Sequence, residues 1–175
     1  MRQFRIGLTI ALALYAAVLL ATSSSWSVID NVNLPVHEAG HLFFAPLGES
    51  MQLLGGTILQ LLLPLLFATY FTIHRDEHAA SVAIWWVGQN FTNIAVYVGD
   101  AQAMELPLVG GGDHDWNLLL SDWGLLSHAT QYAHLVNGFG FLVMLVATIW
   151  GIFEALDPSS RSGVSTTHID RIRHS

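Results

Sequence analysis

The sequence predicts an all-α fold: a multi-pass membrane helical bundle of about four transmembrane helices, with a short re-entrant or half-buried helix among them. Three observations carry this expectation. Hydrophobic residues make up 53% of the 175 residues and charged residues only 11%, less than half the quarter usual for soluble domains. Apolar stretches run over residues 6–21, 51–73, 79–98 and 135–153, and the last three approach or reach the roughly 20 residues a helix needs to cross the hydrocarbon core. The basic residues are all arginines, at 2, 5, 75, 161, 171 and 173. With four spans and both termini inside, every one of them falls in a cytoplasmic segment, as the positive-inside rule requires.

The length fits one domain, with residues 1–156 embedded in the membrane and 157–175 a flexible polar cytoplasmic tail rich in Ser, Thr and Arg. The first span is placed at 5–22. Arg2 and Arg5 before it and the small residues after it also suit a signal peptide, but no clean small-x-small cleavage site follows, which favours an uncleaved span. A helix over 34–46 comes next: Asn33 caps it, Pro35 is tolerated in its first turn, and Pro46 ends it. It is too short to cross and too apolar at Leu42-Phe43-Phe44 to stand in water, hence its re-entrant or half-buried placement. The second span, 50–73, repeats Gly56, Gln60 and Pro64 every four residues, a narrow face that a neighbouring helix can approach closely. The third span, 79–99, carries Gln89, Asn93 and Asp100 at i, i+4 and i+11, a polar stripe that faces the bundle interior because lipid penalises it. The last, 132–155, has its apolar stretch, 135–153, preceded by an interfacial region with Trp116, Trp123, His128, Gln131 and His134. The expected location is the plasma (inner) membrane.

The absence of cysteine excludes disulfides, thiolate metal sites and cysteine nucleophiles. A net charge of −7 disfavours nucleic acid as a partner. What remains is a chemistry of His and carboxylate, and it is concentrated in His37-Glu38-Ala39-Gly40-His41. HExxH on a helix sets two imidazoles one turn apart on one face with a carboxylate between them. Neutral imidazoles suit Zn²⁺, and a position left to water makes such a site catalytic. The bland alternative is a pair of histidines satisfied by ordinary hydrogen bonds.

The predicted topology sends residues 22–50 and 99–133 to the face opposite the arginines. Neither segment holds a basic residue, and together they hold Glu38, Asp100, Asp113, Asp115, His37, His41, His114 and His128. Gly110-Gly111-Gly112 makes a flexible turn into this second cluster. His114 reads as a ligand with an adjacent carboxylate behind it or as an exposed loop histidine. Asp100 reads as a ligand or as a solvated helix-end carboxylate, and Asp115 as the cap of a short helix.

A membrane-embedded HExxH, a glycine-rich element after it and an Asn-containing span ending in Asp resemble the site-2 protease family of intramembrane zinc metallopeptidases. The likeness covers about residues 33–102, and HExxH is its specific motif. In that family an aspartate at the end of a later span is the third ligand, which implies Asp100 here. The prolines of the family's motif are missing, and Ala101 stands where the family has glycine, so His114 remains the rival. The family's site generally opens to the cytoplasm, whereas the arginines place this one on the opposite face.

The resemblance implies hydrolysis of peptide bonds in membrane or membrane-adjacent substrates. His37, His41 and Asp100 or His114 would hold Zn²⁺, Glu38 would act as general base, and Asn93 or Gln89 would donate to the developing oxyanion. The expected partners are a peptide or transmembrane protein substrate and the lipid bilayer. The competing expectations are a non-catalytic membrane metal-binding or transport accessory protein, and a scaffold that keeps zinc for structure alone.

Overall fold

A computed structural model describes residues 2–22, 27–106 and 114–157; the expected glycine turn at 110–112, Asp113 and the tail beyond Asp157 lie outside the described residues. Every described element is helical: α1 (Arg2–Thr22), α2 (Asp30–Phe44) with a 3-10 turn at Ala45–Leu47, α3 (Glu49–Ile73), α4 (Glu77–Asp100), α5 (Asp115–Asp122), a 3-10 turn at Leu126–His128, and α6 (Ala129–Leu156). The all-α expectation holds, and the four long helices begin and end within three residues of their expected bounds.

Among the described residues, three stretches are long and apolar enough to cross a membrane: Arg2–Thr22, Glu49–Ile73 and Leu126–Leu156. Their outward faces are apolar, with Leu14, Leu66 and Leu145 all more than half exposed, a surface suited to lipid. The helix α4 is as long but more polar, and it forms the centre of the bundle. Ser81, Gln89, Asn90, Thr92 and Asn93 are all buried on it. It crosses α6 at two glycines: a Cβ on Gly88 would lie 2.7 Å from the Gly140 carbonyl oxygen, and one on Gly140 equally close to that of Gly88. No larger residue fits at this crossing without parting the helices.

Contacts at the helix ends fix the direction of each. Arg5 on α1 pairs with Asp76, 3.1 Å away at the start of α4, and Thr9 and His78 share a hydrogen bond of 3.0 Å. Gly151, late in α6, lies against Ser81 and Thr9. One end of the bundle therefore gathers the start of α1, the α3–α4 turn and the end of α6. Asp76 caps α4 there by accepting from the Ala79 N–H at 3.2 Å. The other end is closed by Val98, Ala101, Leu120 and Ala129, and α2 and α5 lie toward it.

The helix bearing the histidines starts earlier than its capping signals suggest, at Asp30 rather than residue 34. Asn33 is not its cap, and Pro35 sits inside it. Tertiary bonds override the local signal. The Asn33 amide donates to Asp30 Oδ1 at 3.1 Å and to Gln89 Oε1 at 2.7 Å, and its own oxygen accepts from Trp86 Nε1 at 2.8 Å. Asp30 also accepts from the Ser27 N–H and the Gln89 amide, a carboxylate well placed in a helix first turn. This buried network clamps the start of α2 to α4.

Candidate metal centre

The face of α2 that carries His37 and His41 packs on α3 at backbone range. A Cβ on Gly40 would overlap the Gly55 carbonyl. A Cβ on Gly56 would stand 2.6 Å from His37 Cε1 and Nε2, so the imidazole occupies space that any other residue would fill. The small face expected on α3 is thus the seat of α2, and Gly56, Gln60 and Pro64 are all buried in it.

Each ring is oriented through Nδ1. His41 Nδ1 lies 2.8 Å from the Gln52 carbonyl oxygen, an acceptor only, so this nitrogen carries the proton. His37 Nδ1 lies 3.0 Å from Gln60 Oε1, and the Gln60 amide donates onward to Asn93 Oδ1 at 2.7 Å. Both Nε2 atoms therefore point the other way, and they converge on one oxygen. Asp115 Oδ2 is 3.2 Å from His37 Nε2 and 3.1 Å from His41 Nε2. The three residues form the group among the described residues whose donor atoms could hold one ion. Donors 2.0–2.1 Å from a tetrahedral zinc stand about 3.3 Å apart, close to these spacings. An Nδ1–H bound to a carbonyl or carboxamide is the usual support of a metal-ligating histidine. The donor set fits the ion that HExxH implies.

Without an ion, charge is shared across the same atoms. The hydrogen bond to Asp115 is the main cause that raises His41 to about 9, against the opposing effect of burial and with help from the Gln52 carbonyl. Burial works to raise the Asp115 carboxyl, but the hydrogen bonds from His37 and His41 outweigh it and hold it at about 2.

The two residues expected to compete for the third position are elsewhere. Asp100 and His114 face each other, His114 Nε2 being 3.3 Å from Asp100 Oδ2. The Asp100 oxygens also accept from the Glu105 and Leu106 backbone N–H groups, and His114 Nδ1 accepts from the Asn117 N–H at 3.2 Å as the cap of α5. Both nitrogens of His114 are engaged, so it has no lone pair left for the ion. Asp115, which reads in sequence as the helix cap, is the residue that meets the histidines; the cap is the residue before it.

One other expectation changes. Gln89 has no free donor: its amide is spent on Asp30 and Ser27, and its oxygen on Asn33. Glu38, the expected general base, is exposed and makes no hydrogen bond among the described residues. Gln60 was legible only as part of a packing face; its partnership with His37 has no local signal, because residues 23 apart meet only once α2 folds onto α3. Comparison with family models, with curated proteins and with solved structures finds no match to this chain.

Proposed function

We propose that the chain is a membrane-embedded zinc-dependent metallopeptidase, similar in its HExxH chemistry to the site-2 protease family, that hydrolyses peptide bonds of membrane or membrane-adjacent substrates. The observation that carries this reading is the convergence of His37, His41 and Asp115 with both Nδ1 atoms already satisfied. His37, His41 and Asp115 would hold Zn²⁺. Bound there, the ion supplies an acidified water with a pKa near 7 and a positive charge that polarises a carbonyl.

The protein's own groups do the rest. Glu38 follows His37 directly, and its carboxylate, exposed and unengaged, takes a proton from water and returns it to the leaving amine. Asn93 spends its oxygen on Gln60 and so steadies the His37 ring from its Nδ1 side, which faces away from the ion, rather than donating to an oxyanion. The two Nδ1 partners, Gln60 and the Gln52 carbonyl, keep the imidazoles in one tautomer and one orientation.

The fourth span belongs to the same proposal. The ends of α4 lie at opposite ends of the bundle, beside the two ends of α6, and its length of 24 residues corresponds to about 36 Å at 1.5 Å per residue. Its polar side chains are turned inward, which makes a crossing tolerable. With Arg2, Arg5 and Arg75 all at the α1-start end, the positive-inside rule puts that end in the cytoplasm of a cell bounded by this membrane and the metal centre toward the opposite face.

A second reading is favoured by the exposure of Glu38: a non-catalytic membrane metal-binding or transport accessory protein needs the donors but no base. Glu38→Gln in the purified, zinc-loaded protein separates them. The peptidase reading expects unchanged zinc content with hydrolysis of an apolar peptide lowered at least about a hundredfold. Hydrolysis that persists in Glu38→Gln would overturn the role of the base.

A further inference from the structure

On the far side of α4 from α3, α1 packs on the bundle only part of the way along. Leu12, Tyr15 and Ala16 lie against the Trp85 cluster, and the Tyr15 hydroxyl accepts from the Val28 N–H at 3.0 Å. Beyond Tyr15 a cleft of about 370 Å³ opens between α1, α4 and α6, a size common among small-molecule sites. Its walls are of two kinds. Leu19, Leu20, Val96 and Phe141 contribute apolar surface, and Ser27, Asp30 and Asn137 polar surface.

Asp30 sets the sign of what can bind. It is 4% exposed and bonded to Gln89, which stands midway along α4, so a carboxylate reaches the middle of the bundle. All its partners are neutral. Oδ1 accepts from the Asn33 and Gln89 amides, and Oδ2 from the Ser27 N–H alone. A carboxylate has about four lone-pair sites, so Oδ2 has room for a further donor. The chain has no basic residue between Arg5 and Arg75 or between Arg75 and Arg161, and Arg5 and Arg75 lie at the far end of the bundle. His134 also borders the cleft, but its neighbour Ala133 packs on Gly99, about 15 Å along α4 from Gln89 at 1.5 Å per residue. Buried charges are ordinarily paired; this one has neutral donors and the N-terminal dipole of α2.

The two kinds of wall together select one ligand chemistry. An anion, a phosphate headgroup included, would face this carboxylate with nothing basic to offset it. A hard metal ion gathers about six or more oxygens, which the apolar walls do not offer. A neutral molecule would leave the charge as it stands. An ammonium on a hydrocarbon body uses everything present. Acceptors for its N–H groups border the cleft: Asp30 Oδ2, Ser27 Oγ and the carboxamide of Asn137, which makes no hydrogen bond among the described residues. The body covers Leu19, Leu20, Val96 and Phe141 and removes their surface from water. We propose that this cleft is a binding site for a small amphipathic primary amine, with Asp30 as its counter-ion. Neither zinc nor Glu38 takes part, so the peptidase reading can fail without touching this site.

The experiment titrates full-length, zinc-loaded protein in phosphatidylcholine nanodiscs with para-fluorophenethylamine, followed by fluorine NMR against empty nanodiscs. Two probes of similar shape accompany it: para-fluorophenethyl alcohol, which is neutral, and para-fluorophenylacetate, which is negative. The amine is expected to fill one saturable site and the alcohol to bind at least about tenfold more weakly, the loss of a charge-assisted hydrogen bond; the acetate is expected not to bind. Val96→Phe and Leu19→Trp narrow the cleft without touching the bonds of Asp30, and each is expected to weaken the amine at least about tenfold. Leu145→Trp, on the outward face of α6, is expected to leave it unchanged. Asp30→Asn is expected to bring amine and alcohol to equal affinity; because it also loosens the clamp on α2, the two cleft-filling variants stand beside it. No saturable amine site in folded protein, an alcohol that binds as tightly, or amine binding untouched by both cleft-filling variants overturns the proposal. Displacement of the amine by an equal concentration of sodium chloride would make this a metal-ion site, and loss of the amine on chelation of zinc would place it on the ion; either result also overturns it.

Discussion

His114 turns its Nε2 to Asp100 at 3.3 Å, and in doing so leaves the next residue, Asp115, as the carboxylate that faces His37 and His41. A second bond, from the Asn117 amide to the Ala101 carbonyl at 2.7 Å, ties α5 to the end of α4 and holds this arrangement. The pair closes the segment between the two helices, and Asp115 completes the donor set.

Zinc analysis of three variants tests that division of labour. Asp115→Ala is expected to lose stoichiometric zinc, while Asp100→Ala and His114→Ala keep one ion at saturating metal but bind it about 10–100-fold more weakly, as loss of supporting partners generally does. Zinc retained in Asp115→Ala and abolished in Asp100→Ala would reverse the assignment.

Gln60→Leu removes the acceptor of the His37 Nδ1 proton without touching a donor atom. Zinc affinity is expected to fall about 10–100-fold, measured by competition with a chelator, with helix content unchanged. An unaltered affinity would mean that the ring is held by packing alone.

Gly56→Ala places a methyl group 2.6 Å from the imidazole of His37. The ring must shift, so zinc binding is expected to fail while α3 itself tolerates or prefers alanine. Gly40→Ala meets backbone instead, the Gly55 carbonyl, and is expected to destabilise the protein by about 1–3 kcal/mol by forcing α2 off α3. Thermal melts alongside zinc content distinguish the two outcomes.

The pH dependence of the metal-free protein follows from the shifted groups. His41 is raised from 6.5 to about 9, so its stabilising contribution is complete below about 6.5 and lost as pH rises through 9. Asp115 is lowered from 3.8 to about 2, so its contribution is complete above about 3.8 and lost as pH falls through 2. Thermal melts in chelator are therefore expected to show this site's contribution fully between about pH 4 and 6.5, with a decline toward pH 9 that His41→Gln removes. Zinc binding displaces the same protons, so affinity is expected to keep climbing from pH 7 to 9. A zinc affinity that levels off above pH 7 would contradict the raised His41.

Much of this was legible before any coordinates. Apolar runs locate the long helices because span length is fixed by the bilayer and needs no partner. The stripe of Gln89, Asn93 and Asp100 points inward for a similarly general reason, and all three are buried. HExxH brings His37 and His41 together because their spacing is a property of one helix. The third donor is different in kind. Asp100, His114 and Asp115 lie within one short segment, and all three types bind metal, so only the loop geometry can choose among them. The start of α2 was obscured in the same way: Asn33 has a cap's chemistry, but Gln89 and Asp30, distant or outside the expected helix, recruit its side chain.

The resting place of the His37 ring on the bare backbone of Gly56 has a mechanical consequence. That ring belongs to α2, whose start is clamped to α4, yet it is seated on Gly56 and bonded to Gln60 of α3. A spanning helix answers a thicker or thinner bilayer by changing its tilt. Such a tilt of α3 would shift the glycine seat and the Gln60 carboxamide under an imidazole anchored elsewhere, so acyl-chain length would become an input to how that ring is aimed.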